Sequence, residues 1–173
     1  MSILKVNTIQ DKGGNSIITS DGSGTLTLPT ALKNTPFFKI TMSASQTFTG
    51  NVTTKVNFDT ASFDTDSGFD ATNDRWTVPT GKGGYYYIFN TVMCSTDSNS
   101  HRIQTRIRVN GSTQAFHYSA GITSKCMTKS FSLLNLSAGD YVESYITTDS
   151  TGTQTIDNSS GATFLQGFKM IGA

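Results

Sequence analysis

Glutamate occurs once in the 173 residues, at Glu143. Charged side chains make up 14% of the chain, against ~25% in ordinary soluble domains. The formal net charge is +1. Charge so thin and so balanced excludes a broad electrostatic nucleic-acid binder and an acidic solvating tail. Alanine is sparse as well, so the stock from which surface helices are built is missing. A helical bundle and a doubly wound α/β enzyme are thereby excluded. No apolar run reaches signal-peptide or membrane-spanning length, and at the start Lys5 follows closely on Ile3 and Leu4. The expectation is a protein made in a cytoplasm, reaching its destination without a signal peptide and inserting into no membrane. Cysteine is nearly absent too. Cys94 and Cys126 fit no metal-ligand spacing. Reduced, they pack as small hydrophobes; a disulfide requires the strands that carry them to be neighbours.

What the chain has instead is threonine and serine, 28 and 21 residues, and 18 aromatics (11 Phe, 6 Tyr, 1 Trp). Both suit a pleated, half-buried surface. A hydrophobic fraction of 35% excludes disorder. Two unequal parts follow. Residues 1–36 hold three short apolar islands, "ILKVNTI", "SIIT" and "TLTL", separated by the turn signals "DKGGN" and "SDGSG". Islands this small make no core in one chain. They make sense if copies wrap round one another or if the segment lies on another protein, with Ile3, Leu4, Val6, Ile9, Ile17 and Ile18 as the docking residues. Residues 37–173 read as a succession of strands: 38–44, 52–59, 74–79, 84–94, 101–110, 113–119, 124–136, 140–148 and 162–171. Spacers rich in Gly, Ser, Asp and Asn divide them, as in an all-β antiparallel sandwich or barrel.

Two strands carry more information. In "GYYYIFNTVMC", Tyr85, Tyr87, Phe89 and Met93 share one face, and Tyr86, Ile88 and Val92 share the other. A strand of an isolated sandwich alternates apolar-in and polar-out; one that is apolar on both faces has its outer face covered. Tyr141 and Tyr145 oppose Val142 and Ile146 in the same manner. The simplest cover is another copy of the chain, since interface cores are rich in aromatics. In "HRIQTRIRV", Ile103, Thr105, Ile107 and Val109 face one way, while Arg102, Gln104, Arg106 and Arg108 face the other. The arginines form a basic stripe with three readings: a site for anionic sugars, a partner for carboxylates of a neighbouring subunit, or a solvated face.

The order of landmarks from residue 37 to 173 resembles the trimeric jelly-roll heads of the complement first-component q-subunit and tumour-necrosis-factor superfamily. "GFDATNDRWTVPTGKGGYYYIFN" carries Gly68, Phe69, Asp70, Trp76, Val78, Pro79, Gly84, Tyr85, Tyr87 and Phe89. "LNLSAGDYVES" carries Leu136, Gly139, Asp140 and Val142, and the closing segment carries Phe164, Gly167 and Phe168. The resemblance implies an antiparallel jelly-roll sandwich and a homotrimer, with Tyr85, Tyr87, Phe89, Tyr141, Tyr145 and Phe168 at the interface. The collagen Gly-x-y stalk of secreted animal members is missing. The words "SILKVNTIQDKGGNSIITSDGSG" instead resemble the N-terminal β segment of fibre, neck-appendage and decoration proteins of tailed bacteriophages. This implies virion docking by residues 1–36 and a partner among capsid, neck or tail proteins.

No active site is visible. His101 and His117 lie in no metal spacing, and no Gly-x-Ser-x-Gly elbow exists. Asp64, Asp66 and Asp70 beside Gly68 offer hard oxygen ligands for calcium, but where the helix-loop-helix motif wants a bidentate Glu stands Arg75. The other reading is a hydrophilic loop with Asx turns. No cofactor is expected. Three functions compete. One is a non-enzymatic virion component, either a short fibre or appendage with a head that binds host-surface glycan or a decoration protein at local threefold positions. The others are a free glycan-binding lectin and a capsule-degrading enzyme.

Overall fold

The computed structural model describes residues 6–27, 35–95, 101–122 and 124–171. The first of these segments folds into a three-stranded antiparallel sheet of β1 (Thr8–Gln10), β2 (Ser16–Ser20) and β3 (Leu26–Thr27). Its turns are closed by aspartates: Asn15 N–H donates to Asp11 Oδ1 at 2.9 Å and Ser23 N–H to Asp21 Oδ1 at 2.8 Å. Ile9 stands opposite Ile18 on one face, and Leu26 continues that face from beside Ser20. Thr8, Thr19 and Thr27 form a row on the other. None of residues 6–27 is fully buried.

The rest is a two-layer sandwich. The first sheet contains β4 (Phe37–Thr41), β5 (Gln46–Thr49), β7 (Thr60–Asp64), β10 (Gly84–Ser95), β13 (Lys125–Leu136), β15 (Thr153–Asp157) and β16 (Phe164–Lys169). The second contains β6 (Thr54–Lys55), β8 (Phe69–Asp70), β9 (Arg75–Thr77), β11 (His101–Val109), β12 (Ser112–Ile122) and β14 (Tyr141–Thr148). Every pairing is antiparallel, and β10 is the hub: it pairs with β13 along its whole length and with β16 and β15 on its other side. In the second sheet β11 lies between β12 and β14.

Alternation along these strands builds the core. Tyr86, Ile88, Val92 and Cys94 of β10 meet Ile103 and Ile107 of β11 and Val142 and Ile146 of β14, in one buried cluster. Each such side chain contributes about 1.5–3 kcal/mol by leaving water. At one end Trp76 stacks on Phe38, ring centroids 4.2 Å apart and planes 8° from parallel, and its indole N–H donates to Asp64 Oδ1 at 3.2 Å. Gly68 is required beside it, because a Cβ there would lie 2.6 Å from the indole nitrogen. Gly167 is required by the same core: a Cβ would lie 2.6 Å from Ile88 Cδ1.

A polar layer crosses the middle. Asn90 Nδ2 donates to Ser144 Oγ at 2.8 Å, Ser130 N–H donates to Asn90 Oδ1 at 2.8 Å, and the Thr105 and Ser130 hydroxyls are 2.8 Å apart. Four strands of both sheets are thus joined through buried groups whose partners are present, as burial demands.

The strand reading misses β5 and β8, which fall in its spacers, and needs three further corrections. Residues 52–59 are not one strand: Thr54 and Lys55 pair with β14, whereas Asp59 N–H reaches Thr41 O. The segment crosses from one sheet to the other and drops Val56 and Phe58 into the core on the way. Residues 60–64, read as part of an acidic loop, form an edge strand on β4. Residues 149–161, the spacer between the predicted strands 140–148 and 162–171, contain β15. That strand carries one large apolar residue, Ile156, so its inward face (Gln154, Ile156) leaves little trace in hydropathy.

Candidate functional site

The outer face of the first sheet is rich in aromatic side chains, with Lys39, whose Nζ lies 4.4 Å over the Phe164 ring, Lys129 and Gln166 among them. Here β10 presents Tyr85, Tyr87, Phe89 and Met93, β13 presents Met127, Phe131 and Leu133, β16 presents Phe164 and Phe168, and β4 and β7 add Phe37 and Phe63. The rings touch: Tyr87 lies 5.7 Å from Phe168 and 6.2 Å from Phe131, Phe89 lies 5.6 Å from Phe164, and Phe37 lies 5.4 Å from Phe63. A cleft of about 130 Å³ opens among Phe37, Phe63, Tyr87, Phe89 and Phe168. Phe131 is 64% exposed and Leu133 55%. Contiguous apolar surface of this kind marks an interaction site rather than ordinary protein surface. Tyr85, Tyr87, Phe89 and Phe168 are therefore together on one face.

Tyr141 and Tyr145 are not with them. Both belong to β14, on the outer face of the opposite sheet, where Arg75 covers the Tyr141 ring at 4.4 Å and Arg108 covers Tyr145 at 4.1 Å. A guanidinium lies over the outer side of each ring. The sheet to which their strand belongs puts them on a different face from Tyr87, with which the family resemblance groups them.

The basic stripe is divided in two. Arg108 sits beside the only glutamate: Glu143 is its cross-strand partner and takes Lys55 Nζ at 2.6 Å. Arg102 and Arg106 lie at the other end, in a groove of about 180 Å³ with Asn51, Gln104, Tyr118, Thr147 and Asp149. There Arg106 Nη1 donates to Thr53 Oγ1 at 2.8 Å, and its Nε donates to Gln104 Oε1 at 2.9 Å. Nη2 also donates to Gln104 Oε1. The Arg102 guanidinium stands 5.0 Å over Tyr118.

The calcium candidate is corrected. Asp64 accepts from Phe69 N–H at 2.8 Å and from the Trp76 indole, so it braces the core. Asp66 pairs with Lys82 Nζ at 2.7 Å; burial opposes its charge, but Lys82 and the Thr65 hydroxyl outweigh it and hold the carboxyl below its usual range. Asp70 takes Asn73 Nδ2 at 2.7 Å, which holds its carboxyl below its usual range, and the facing Arg75 lowers it further. These carboxylates are turned to separate partners, and among the described residues no three His, Cys, Asp or Glu side chains gather as metal ligands.

Cys94 and Cys126 stand directly opposite each other on β10 and β13, both as free thiols. Burial, and then the neighbouring Cys126, pushes the Cys94 thiol up to about 12. His117 is exposed on β12. In the small N-terminal sheet Val6, Ile9 and Ile17 are exposed and Ile18 is half-buried; Ile3 and Leu4 lie outside the described residues. No described helix is long and apolar enough to cross a membrane.

No family model matches the chain, and no curated protein matches its sequence. Solved structures do match. A tumour-necrosis-factor domain, Eiger of S. frugiperda, superposes with a TM-score of 0.60 at 14% identity, over 82% of this chain and 96% of its own. Murine APRIL at pH 5.0 gives 0.58 at 15% identity over 78% and 98%, and the globular domain of zebrafish complement 1qA gives 0.52 at 14% over 79% and 98%. The sandwich is a tumour-necrosis-factor/C1q-like jelly roll. At such identity the shared property is the fold, and it explains the landmark residues. Gly68, Trp76 and Gly167 serve the common core described above, and Gly139 (φ +90°) with Asp140 shapes the turn into β14.

Proposed function

We propose that the chain is a non-enzymatic subunit of a homotrimeric head on a virion of a tailed bacteriophage, a short fibre or appendage whose jelly roll faces outward toward the host surface. The observation that carries the trimer is the aromatic outer face of the first sheet. Left in water, Phe131, Leu133 and Tyr85 forfeit stabilisation that two further copies supply by packing the same face about a threefold axis. Such closure covers one outer face and leaves the other, with its arginines, free for contact with the surroundings.

The small N-terminal sheet supports the virion part of the reading. Its Ile9–Ile18–Leu26 face is apolar and it has no buried residue of its own. Strands this short, with their apolar face left in water, gain little from hydrophobic burial until something packs on that face. The sequence of this segment resembles the docking segments of phage fibre and decoration proteins. Purified phage particles from cells producing the chain test the assignment. Immunogold labelling at a discrete position on each particle is expected; a chain found wholly in the particle-free supernatant overturns the virion role.

A further inference from the structure

We propose that the groove between β11 and β14 on the outer face of the second sheet binds an acidic sugar, with Arg106 taking the carboxylate and Tyr118 the face of the ring. This deepens the reading of the head as an outward-facing binding module and rests on it. The case begins with a guanidinium that has no ion-pair partner within 4.0 Å among the described residues. Three of the five guanidinium N–H donors of Arg106 are spent on Gln104 Oε1 and Thr53 Oγ1. All of these acceptors are neutral. Among the described residues no carboxylate pairs with Arg106, whereas Lys55, Arg75, Lys82 and Lys125 each have one within 4.0 Å.

Thr53 is held in turn by the Thr147 hydroxyl at 2.8 Å. Arg106 is thus fixed in one orientation by neutral groups, and two of its donors have no partner among the described residues. Preorganised guanidinium of this sort suits the paired oxygens of a carboxylate.

The rest of the groove distinguishes a sugar acid from a bare anion. Asp149, whose Oδ1 accepts the Arg102 N–H at 2.8 Å, stands on the same wall, and its negative charge opposes a compact, multiply charged phosphate or sulfate more than a singly charged carboxylate carried on a neutral ring. Asn51 and Thr147 on the same wall add further hydroxyl partners. Tyr118, 45% exposed, offers an aromatic face beside Arg102, and Phe116, 58% exposed, extends it. A cavity of about 180 Å³ is smaller than the ~300–1,000 Å³ that encloses a drug-sized ligand and holds a single ring.

The test is calorimetric titration of the full chain with a glucuronate trisaccharide, an N-acetylneuraminate disaccharide, a glucose trisaccharide and inorganic phosphate. At least one acidic sugar is expected to bind, the glucose trisaccharide and phosphate at least ~10-fold more weakly. R106Q should weaken binding by ~10-fold or more, the loss of one charge-assisted pair. Y118A, at an exposed position that leaves the fold intact, should weaken it several-fold, and R108Q should leave it unchanged. Binding retained in both R106Q and Y118A, equal binding of glucose, full competition by phosphate, or no binding of either acidic sugar overturns the proposal. Light scattering on the same samples separates the two readings. A trimer that binds neither acidic sugar removes the groove alone, and a monomer that binds one removes the trimer alone.

Discussion

On the outer face of the first sheet, Tyr87 stands within 6.2 Å of Phe131 and Phe168 with no cation over its ring among the described residues. On the outer face of the second, Tyr118, Tyr141 and Tyr145 each carry a guanidinium within 5.0 Å. The inner faces beneath are alike, filled by Ile, Val and aromatic side chains in one core. Rings packed on rings gain most by excluding water, so they call for a partner of the same kind. Rings under arginines already have a partner and can remain wet. The two inner faces therefore account for the fold, and the two outer faces differ in what lies against their rings.

The comparison is broken most severely by one charge on the apolar side. F131D should abolish assembly outright while the subunit keeps its sandwich, because Phe131 packs on nothing inward in the single chain. An aspartate at the interface would be an unpaired buried charge. Y145D, on the arginine-covered side, should leave the mass by light scattering unchanged. The next effect falls on both faces alike. W76A removes the ring stacked on Phe38, and urea denaturation should show a loss of about 3–5 kcal/mol.

N90A strands the Ser130 N–H and the Ser144 hydroxyl in the core and should cost about 1–3 kcal/mol by the same assay.

The smallest effect is a pH dependence at the rim of the first sheet. Hydrogen bonds from Lys125 Nζ, then from Ser159, hold the Asp157 carboxyl well below its ordinary value. A depressed folded-state value adds stability above the unfolded pKa of ~3.9, and that stability is lost as the pH falls toward the folded value. Urea midpoints should therefore fall below about pH 4, and D157N, already lacking the charge, should show a shallower decline over that range.

Much of this was readable from the residues. The alternation of Tyr86, Ile88 and Val92 against Tyr85, Tyr87 and Phe89 reported a strand with two apolar faces, and in the single chain the first face is buried while the second is exposed or half-buried. Arg102, Gln104, Arg106 and Arg108 likewise share the face opposite Ile103 and Ile107. Short strands with little apolar content were lost, because Gln154 and Ile156 of β15 are buried by their neighbours and not by their own hydropathy. Tyr141 and Tyr145 show a different limit. Alternation tells which residues share a face of one strand but not which sheet the strand joins. The split of the arginine stripe was equally hidden, since it depends on Lys55 and Glu143, 88 residues apart, meeting beside Arg108. The convergence of Asn51, Tyr118 and Thr147 on Arg106 had no signal in sequence spacing, for those residues come from segments that only the sheet order brings together.

The central claim is that sister copies cover the aromatic face. Light scattering on the purified chain tests it directly. A mass near three times 18.6 kDa is the predicted result. A stable, soluble species of 18.6 kDa across the concentration range, with its rings bare to solvent, contradicts it.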